Sequence, residues 1–135
     1  MNEDGRDVAG RPPRVLVVES DEEACGRLVS MVEDCGAQAL AATRAAQALE
    51  LFAREKPDLV LAAADLPDLS GADLLRRVTD RSASVRVALM AAWRSRSHFE
   101  GLMRAGVVAF LRKPVREHEV VRMLGQLRAE VDFLE

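Results

Sequence analysis

The chain has 135 residues, 49% of them hydrophobic and 30% charged, with a formal net charge of −3. That is the length of one domain with enough apolar residues for a core, which excludes a wholly disordered chain. No apolar run approaches the roughly 18 residues of a membrane helix, and residues 1–13, polar with Glu3, Asp4 and Asp7, lack the apolar stretch of a secretory leader.

Residues 1–13 therefore read as a flexible tail ahead of a cytoplasmic domain. Charge is unevenly spread: residues 1–85 carry a net −6, residues 86–128 a net +6 and the last seven −3. An asymmetry of this kind marks a candidate partner-binding face.

Residues 14–18 (Arg-Val-Leu-Val-Val) form a β-branched run after Pro12 and Pro13, a strand covered on both faces. It ends in Glu19-Ser20-Asp21-Glu22-Glu23. Ser20 or Asp21 can cap the helix that follows, and the glutamates suit its positive dipole end. Ala24, Leu28, Met31, Val32 and Cys35 recur at helical spacing, and Gly36 stops the helix. Cys25 and Cys35 fall in this one helix. At a rise of about 1.5 Å per residue they stand roughly 15 Å apart, too far for a disulfide. They read as reduced thiols, and without a cluster of histidines they make no zinc site.

An alanine-rich strand is predicted over 37–42. Thr43 is placed to cap a second helix with Ala45, Ala48, Leu49, Phe52 and Ala53 inward, ended by Lys56-Pro57. A buried strand over 58–64 leads to the loop Asp65-Leu66-Pro67-Asp68-Leu69-Ser70-Gly71. A helix with Leu74, Leu75 and Val78 inward follows, then a strand over 85–90. Residues 95–105 read as a helix, with Phe99, Leu102 and Met103 inward, and 107–111 as a fifth strand. Lys113-Pro114 breaks it, and a final helix runs from about Val115 to the end.

Five strands alternating with five helices through short loops imply an α/β fold, a parallel sheet with helices on both faces and right-handed crossovers. In such doubly wound sheets the working site lies beyond the carboxyl ends of the strands. Those ends are Glu19-Ser20-Asp21, Ala63-Ala64-Asp65, Ala91-Ala92 and Arg112-Lys113. A nucleotide or flavin site there would need glycines and backbone N–H groups around a phosphate, whereas the first loop offers Glu19, Asp21, Glu22 and Glu23. Neither G-x-G-x-x-G nor G-x-x-x-x-G-K-[ST] is present. His98 and His118, the two histidines, read as exposed helix residues and supply no base beside a nucleophile.

Acids at one strand end and a lysine at another suggest a different device. Carboxylates hold a divalent cation, and a lysine neutralises a phosphorylated carboxylate. V-L-V-V followed by acids, K-P-D-L-V-L, L-P-D-L-S-G and A-G-V-V-A-F-L-R-K-P occur in that order at receiver-like spacings. With these motifs the chain resembles the receiver domain of two-component response regulators over about residues 14–131, leaving 132–135 as the end of the last helix or the start of a linker coiled coil.

The resemblance implies a (βα)5 sandwich of flavodoxin-like topology, strand order 2-1-3-4-5. It also implies a phosphoacceptor aspartate six residues after the first proline of P-D-L-V-L and four before the next. Pro57 and Pro67 both place it at Ala63, which has no oxygen to accept a phosphoryl group. The family's acidic pair falls on Glu19 and Ser20, its closing Ser/Thr on Ala91, its lysine on Lys113 and its aromatic switch on Phe110. Asp65 falls where the family offers a backbone carbonyl to the metal. In the family the Lys-Pro bond is usually cis.

The expectation is a degenerate receiver, or pseudo-receiver, that works without enzymatic activity by protein–protein contact in a bacterial two-component (phosphorelay) pathway. It needs no cofactor, because Glu19 is placed to pair with Lys113 and replace the charge balance of metal and phosphoaspartate. Two alternatives keep the fold: a phosphorelay through Asp65, with a weak magnesium site from Glu19, Asp21 and Asp65, or a small-anion sensor in the vacated pocket beside Lys113.

The resemblance further implies a partner or attached output domain on the face of the fourth helix, fifth strand and fifth helix. Trp93, Phe110, Arg112 and Arg116 fall there, with Arg94, Arg96, Arg104 and Arg122 on it or near it. Few aromatics and an acidic balance speak against direct nucleic-acid binding. In the last helix Val120, Leu124, Leu127, Val131 and Leu134 are spaced 4, 3, 4, 3, an a/d seam over about two heptads. Part of it must pack on the sheet, and the remainder points to a homodimer through the last helix or to continuation into a linker.

Overall fold

The computed structural model describes residues 11–92 and 107–134, and of 129–134 only the backbone. β1 (Arg14–Val18), β2 (Gln38–Ala42), β3 (Leu59–Ala63), β4 (Arg86–Ala91) and β5 (Val107–Arg112) form one parallel sheet in the order β2-β1-β3-β4-β5. The helices among the described residues are α1 (Glu22–Asp34), α2 (Ala45–Glu55), α3 (Gly71–Arg81) and α4 (Glu117–Leu134). The strand order is that of the doubly wound fold read from the sequence. The helix expected over 95–105 lies outside the described residues.

The two faces of the sheet follow from side-chain alternation. Leu16, Val18, Val60, Ala62, Val87 and Leu89 face α2 and α3 and pack with Phe52, Leu74, Leu75 and Val78. Val15, Val17, Leu59, Leu61, Ala63, Ala88 and Met90 face the other way, against Cys25, Leu28 and Val32 of α1 and Val120, Met123, Leu124 and Leu127 of α4. β1 and β3 bury nearly every side chain, which is why they read as unbroken apolar runs. In α4 the first three members of the apparent heptad seam, Val120, Leu124 and Leu127, are core positions. The side chains of Val131 and Leu134 lie outside the description.

Several local readings are corrected. Residues 11–13 belong to the domain, not the tail: the Arg11 guanidinium donates to both Asp58 carboxylate oxygens at 2.9 and 3.2 Å, and Pro13 is buried. Ala53 faces solvent. Cys35 is the α1 C-cap and only half-buried, its carbonyl accepting from Arg128 Nη2 at 2.9 Å; both cysteines are free.

The start of α2 is not capped by Thr43. Its Ala45 and Ala46 N–H groups donate to the Asp68 carboxylate at 2.9 Å each, 23 and 22 residues away along the chain. Those bonds hold the Asp68 carboxyl below its ordinary range. A folded pKa below the unfolded value means the stabilisation is fully present above the unfolded value and is lost as pH falls through the folded one. The melting-temperature gap between wild type and Asp68→Ala should therefore be constant above about pH 5 and narrow below about pH 4. A gap that does not change with pH would show that the carboxylate is not the cap.

Candidate functional site

Three backbone hydrogen bonds continue the sheet past its carboxyl edge and bring the loop residues together. Glu19 N–H donates to the Ala42 carbonyl at 3.0 Å, Ala64 N–H to that of Met90 at 2.7 Å, and Lys113 N–H to that of Ala91 at 3.1 Å. Glu19, Ala64 and Lys113 are thereby held at one end of the sheet. The Lys113–Pro114 peptide bond is cis.

At this edge Lys113 Nζ meets Glu19 Oε1 at 2.6 Å, and Glu19 Oε2 accepts from the Asp21 N–H at 3.1 Å. The Glu19 side chain is 3% exposed and that of Lys113 35%. A carboxylate so deeply buried requires a cation and a hydrogen-bond donor, and it has both. Burial, and next the Glu19 charge, push the neighbouring Cys25 thiol above its ordinary range, against a backbone hydrogen bond from Glu19, so it stays protonated and inert.

The other expected pocket residues divide. Ala63 ends β3, fully buried, paired with Met90. Ala91 ends β4, also buried. Ser20 and Asp21 are exposed, and Asp21 is the N-cap of α1, its Oδ1 accepting from the Glu23 and Ala24 N–H groups at 3.0 and 3.3 Å. Asp65 is exposed in the loop after β3.

The cation set Glu19, Asp21 and Asp65 is not assembled. Among the described residues no three His, Cys, Asp or Glu side chains group as ligands. Glu19 is buried with Lys113 and the Asp21 N–H on its two oxygens, Asp21 caps α1, and Asp65 points from an exposed loop position, so the three do not converge. The donors present do not fit a magnesium ion of the kind the receiver resemblance implies.

Beside this edge two recesses share Lys113. One, of about 340 Å³, lies between α1 and the segment after β5, with Leu28, Met31, Met90 and Val115 in its wall. The spacing of Ala24, Leu28 and Met31 marked a helix face turned inward, and nothing in it distinguished a groove from solid core. The other, of about 420 Å³, is lined by Arg112, Lys113, Pro114, Arg116, His118 and Glu119. Phe110, Arg112, Arg116 and His118 are exposed, as is Val121 on α4, at 53%. The Arg116 N–H donates to Glu119 Oε1 at 2.9 Å, capping α4. Trp93, Arg94, Arg96, Arg104 and His98 lie outside the described residues. No helix among those described is long and apolar enough to cross a membrane.

An uncharacterized 14.6 kDa protein of Leptolyngbya boryana is 30% identical over 114 residues, 83% of this chain and 87% of that protein. Regulatory protein LuxO of Vibrio cholerae is 34% identical over 92 residues, 63% of this chain but 20% of LuxO, so the chain spans about a fifth of that relative. Among solved structures, the signal receiver domain of an HD domain-containing protein from Pseudomonas fluorescens superposes with a TM-score of 0.82 at 28% identity, covering 90% of each chain. The family model for the response regulator receiver domain matches residues 15–125. The chain belongs to the response regulator receiver domain family of two-component signalling.

Proposed function

We propose that this receiver domain is a pseudo-receiver that signals without aspartyl phosphorylation and without enzymatic activity, through protein–protein contact. One observation carries the reading: β3 ends on a fully buried alanine, Ala63, where the family motif puts its acceptor carboxylate. Two others support it. Lys113 already has a resident anion in Glu19 at 2.6 Å, and the Ser/Thr position after β4 is Ala91, with no hydroxyl. A transferred phosphoryl group would find neither an oxygen to receive it nor a hydroxyl to close over it.

The partner or attached output domain would engage the β5–α4 face, where Phe110, Arg112 and Arg116 are exposed within the basic segment of the chain. Arginine and aromatic side chains side by side are the composition of interface hot spots.

Incubation with acetyl phosphate and magnesium is expected to leave the intact mass unchanged. Gain of one phosphoryl group on an aspartate, Asp65 included, would overturn the proposal in favour of an atypical phosphorelay.

A further inference from the structure

We propose that the groove between α1 and the segment after β5 binds an amphipathic anion, a carboxylate or comparable acidic head on an apolar body, with its head on Lys113. This goes beyond the proposed function and does not rest on it, because it needs the groove and the lysine, whatever becomes of position 63.

The groove has about 340 Å³, at the lower end of the range that small-molecule sites occupy. Its location, outside the carboxyl ends of the strands, is where doubly wound sheets take ligands. Leu28 and Met90 form a floor that is itself buried, and half-buried Met31 and Val115 form the walls. Ala24, half-buried, contributes only a methyl group to the lining. Apolar walls open to water favour an apolar occupant.

The charged residues of the lining select the head group. The Glu19 carboxylate is 3% exposed with both oxygens engaged, so it has no room for an arriving cation. The lysine is the open member of the pair: its side chain is 35% exposed, one N–H is directed to Glu19, and the ammonium has two more to donate. An acidic oxygen arriving along the groove would accept one of them in a charge-assisted bond. At the rim, Asp21 is occupied in capping α1, and Arg27 adds a second cation, joined to Glu23 in an exposed i,i+4 pair that can reopen.

The probe is decanoate, kept below its micelle concentration, added to the full chain carrying ¹³C-methyl methionine. The Met31 and Met90 methyl signals are expected to shift saturably while that of Met123, on the core-facing side of α4, stays in place. Acetate, with the head and no body, and decyltrimethylammonium, with the body and the opposite charge, should each bind at least tenfold more weakly. Lys113→Gln is expected to weaken decanoate about tenfold, the worth of one charge-assisted bond. Because that change leaves Glu19 without its cation, Ala24→Trp serves as the second variant; it puts a large ring into the lining from a half-buried position and should abolish the shifts with the melting temperature kept.

Equal binding of decanoate and decyltrimethylammonium would overturn the proposal, since it would make the groove an apolar patch without head-group selection. So would unmoved Met31 and Met90 signals, which would leave the groove to a partner's side chain. Shifts that survive Ala24→Trp would overturn it as well.

Discussion

Gly71→Ala is expected to destabilise the domain by about 3 kcal/mol or more, read as a lower urea midpoint at unchanged slope. Gly71 opens α3, and its N–H donates to the Ala64 carbonyl at 2.8 Å. The helix start is thereby drawn onto the end of β3 so closely that a Cβ on residue 71 would stand 1.9 Å from the Ala63 carbonyl oxygen and 2.7 Å from its carbon. Those are backbone atoms of a central strand, paired with β1 on one side and β4 on the other. They have no rotamer to change, so either α3 lifts or the strand end moves. Both options disturb Ala63 and Ala64, at the carboxyl edge that also carries Glu19 and Lys113.

Gly26→Ala supplies the opposite sign in the same domain. Gly26 lies inside α1 with nothing within 4 Å of the added Cβ. There the only change is the lower backbone entropy of the unfolded chain, so the substitution should stabilise by about 0.5–1 kcal/mol. If both glycines respond alike, the close approach at Gly71 is not what fixes its identity.

The contrast marks what a sequence can and cannot convey about this fold. Both glycines look the same in the chain, each next to or inside a helical stretch. The strands were legible because β1 and β3 are buried on both sides, which removes polar residues from runs such as Leu-Val-Leu-Ala-Ala. A cap of α1 at Ser20 or Asp21 was legible because capping is local, and Asp21 is the one that serves. The cap of α2 was not: Thr43 satisfied the local rule, but Asp68 arrives from the loop after β3, and only the tertiary fold brings it there. The seam of the last helix was ambiguous in a similar way, since a 4-3 spacing describes a helix lying on a sheet as well as one lying on a second helix; Val120, Leu124 and Leu127, in the core, are the part expected to pack on the sheet.

At the site, acids at one strand end and a lysine at another made the Glu19–Lys113 pair expected, because parallel strands bring their carboxyl ends to one edge. The candidate cation set failed for a reason of the same kind as Thr43. Asp21 and Asp65 are acids at the right edge, but helix capping engages the first and the second is exposed to solvent. A pocket beside Lys113 was expected from the missing acceptor side chain, but the apolar wall of the groove had no signal, since a residue lining a cavity and one lining the core share the same helical spacing.

Glu19→Gln is expected to lower stability by about 1–2 kcal/mol. Breaking a fully buried ion pair costs about 3–5 kcal/mol, but Lys113 is 35% exposed and can turn its ammonium toward water, so the cost is reduced. Glutamine keeps the shape and an acceptor for the Asp21 N–H, so the change isolates the charge. Lys113→Met should be at least as damaging, because it leaves the carboxylate, 3% exposed, without a cation. The double variant should then recover part of the loss, giving a coupling energy of about 1 kcal/mol or more in a double-mutant cycle. Additive losses would mean that the two groups do not stabilise one another at 2.6 Å. The pseudo-receiver reading would then lose one of its supports, because Glu19 would not be supplying the charge balance that a phosphoaspartate and metal give in a working receiver.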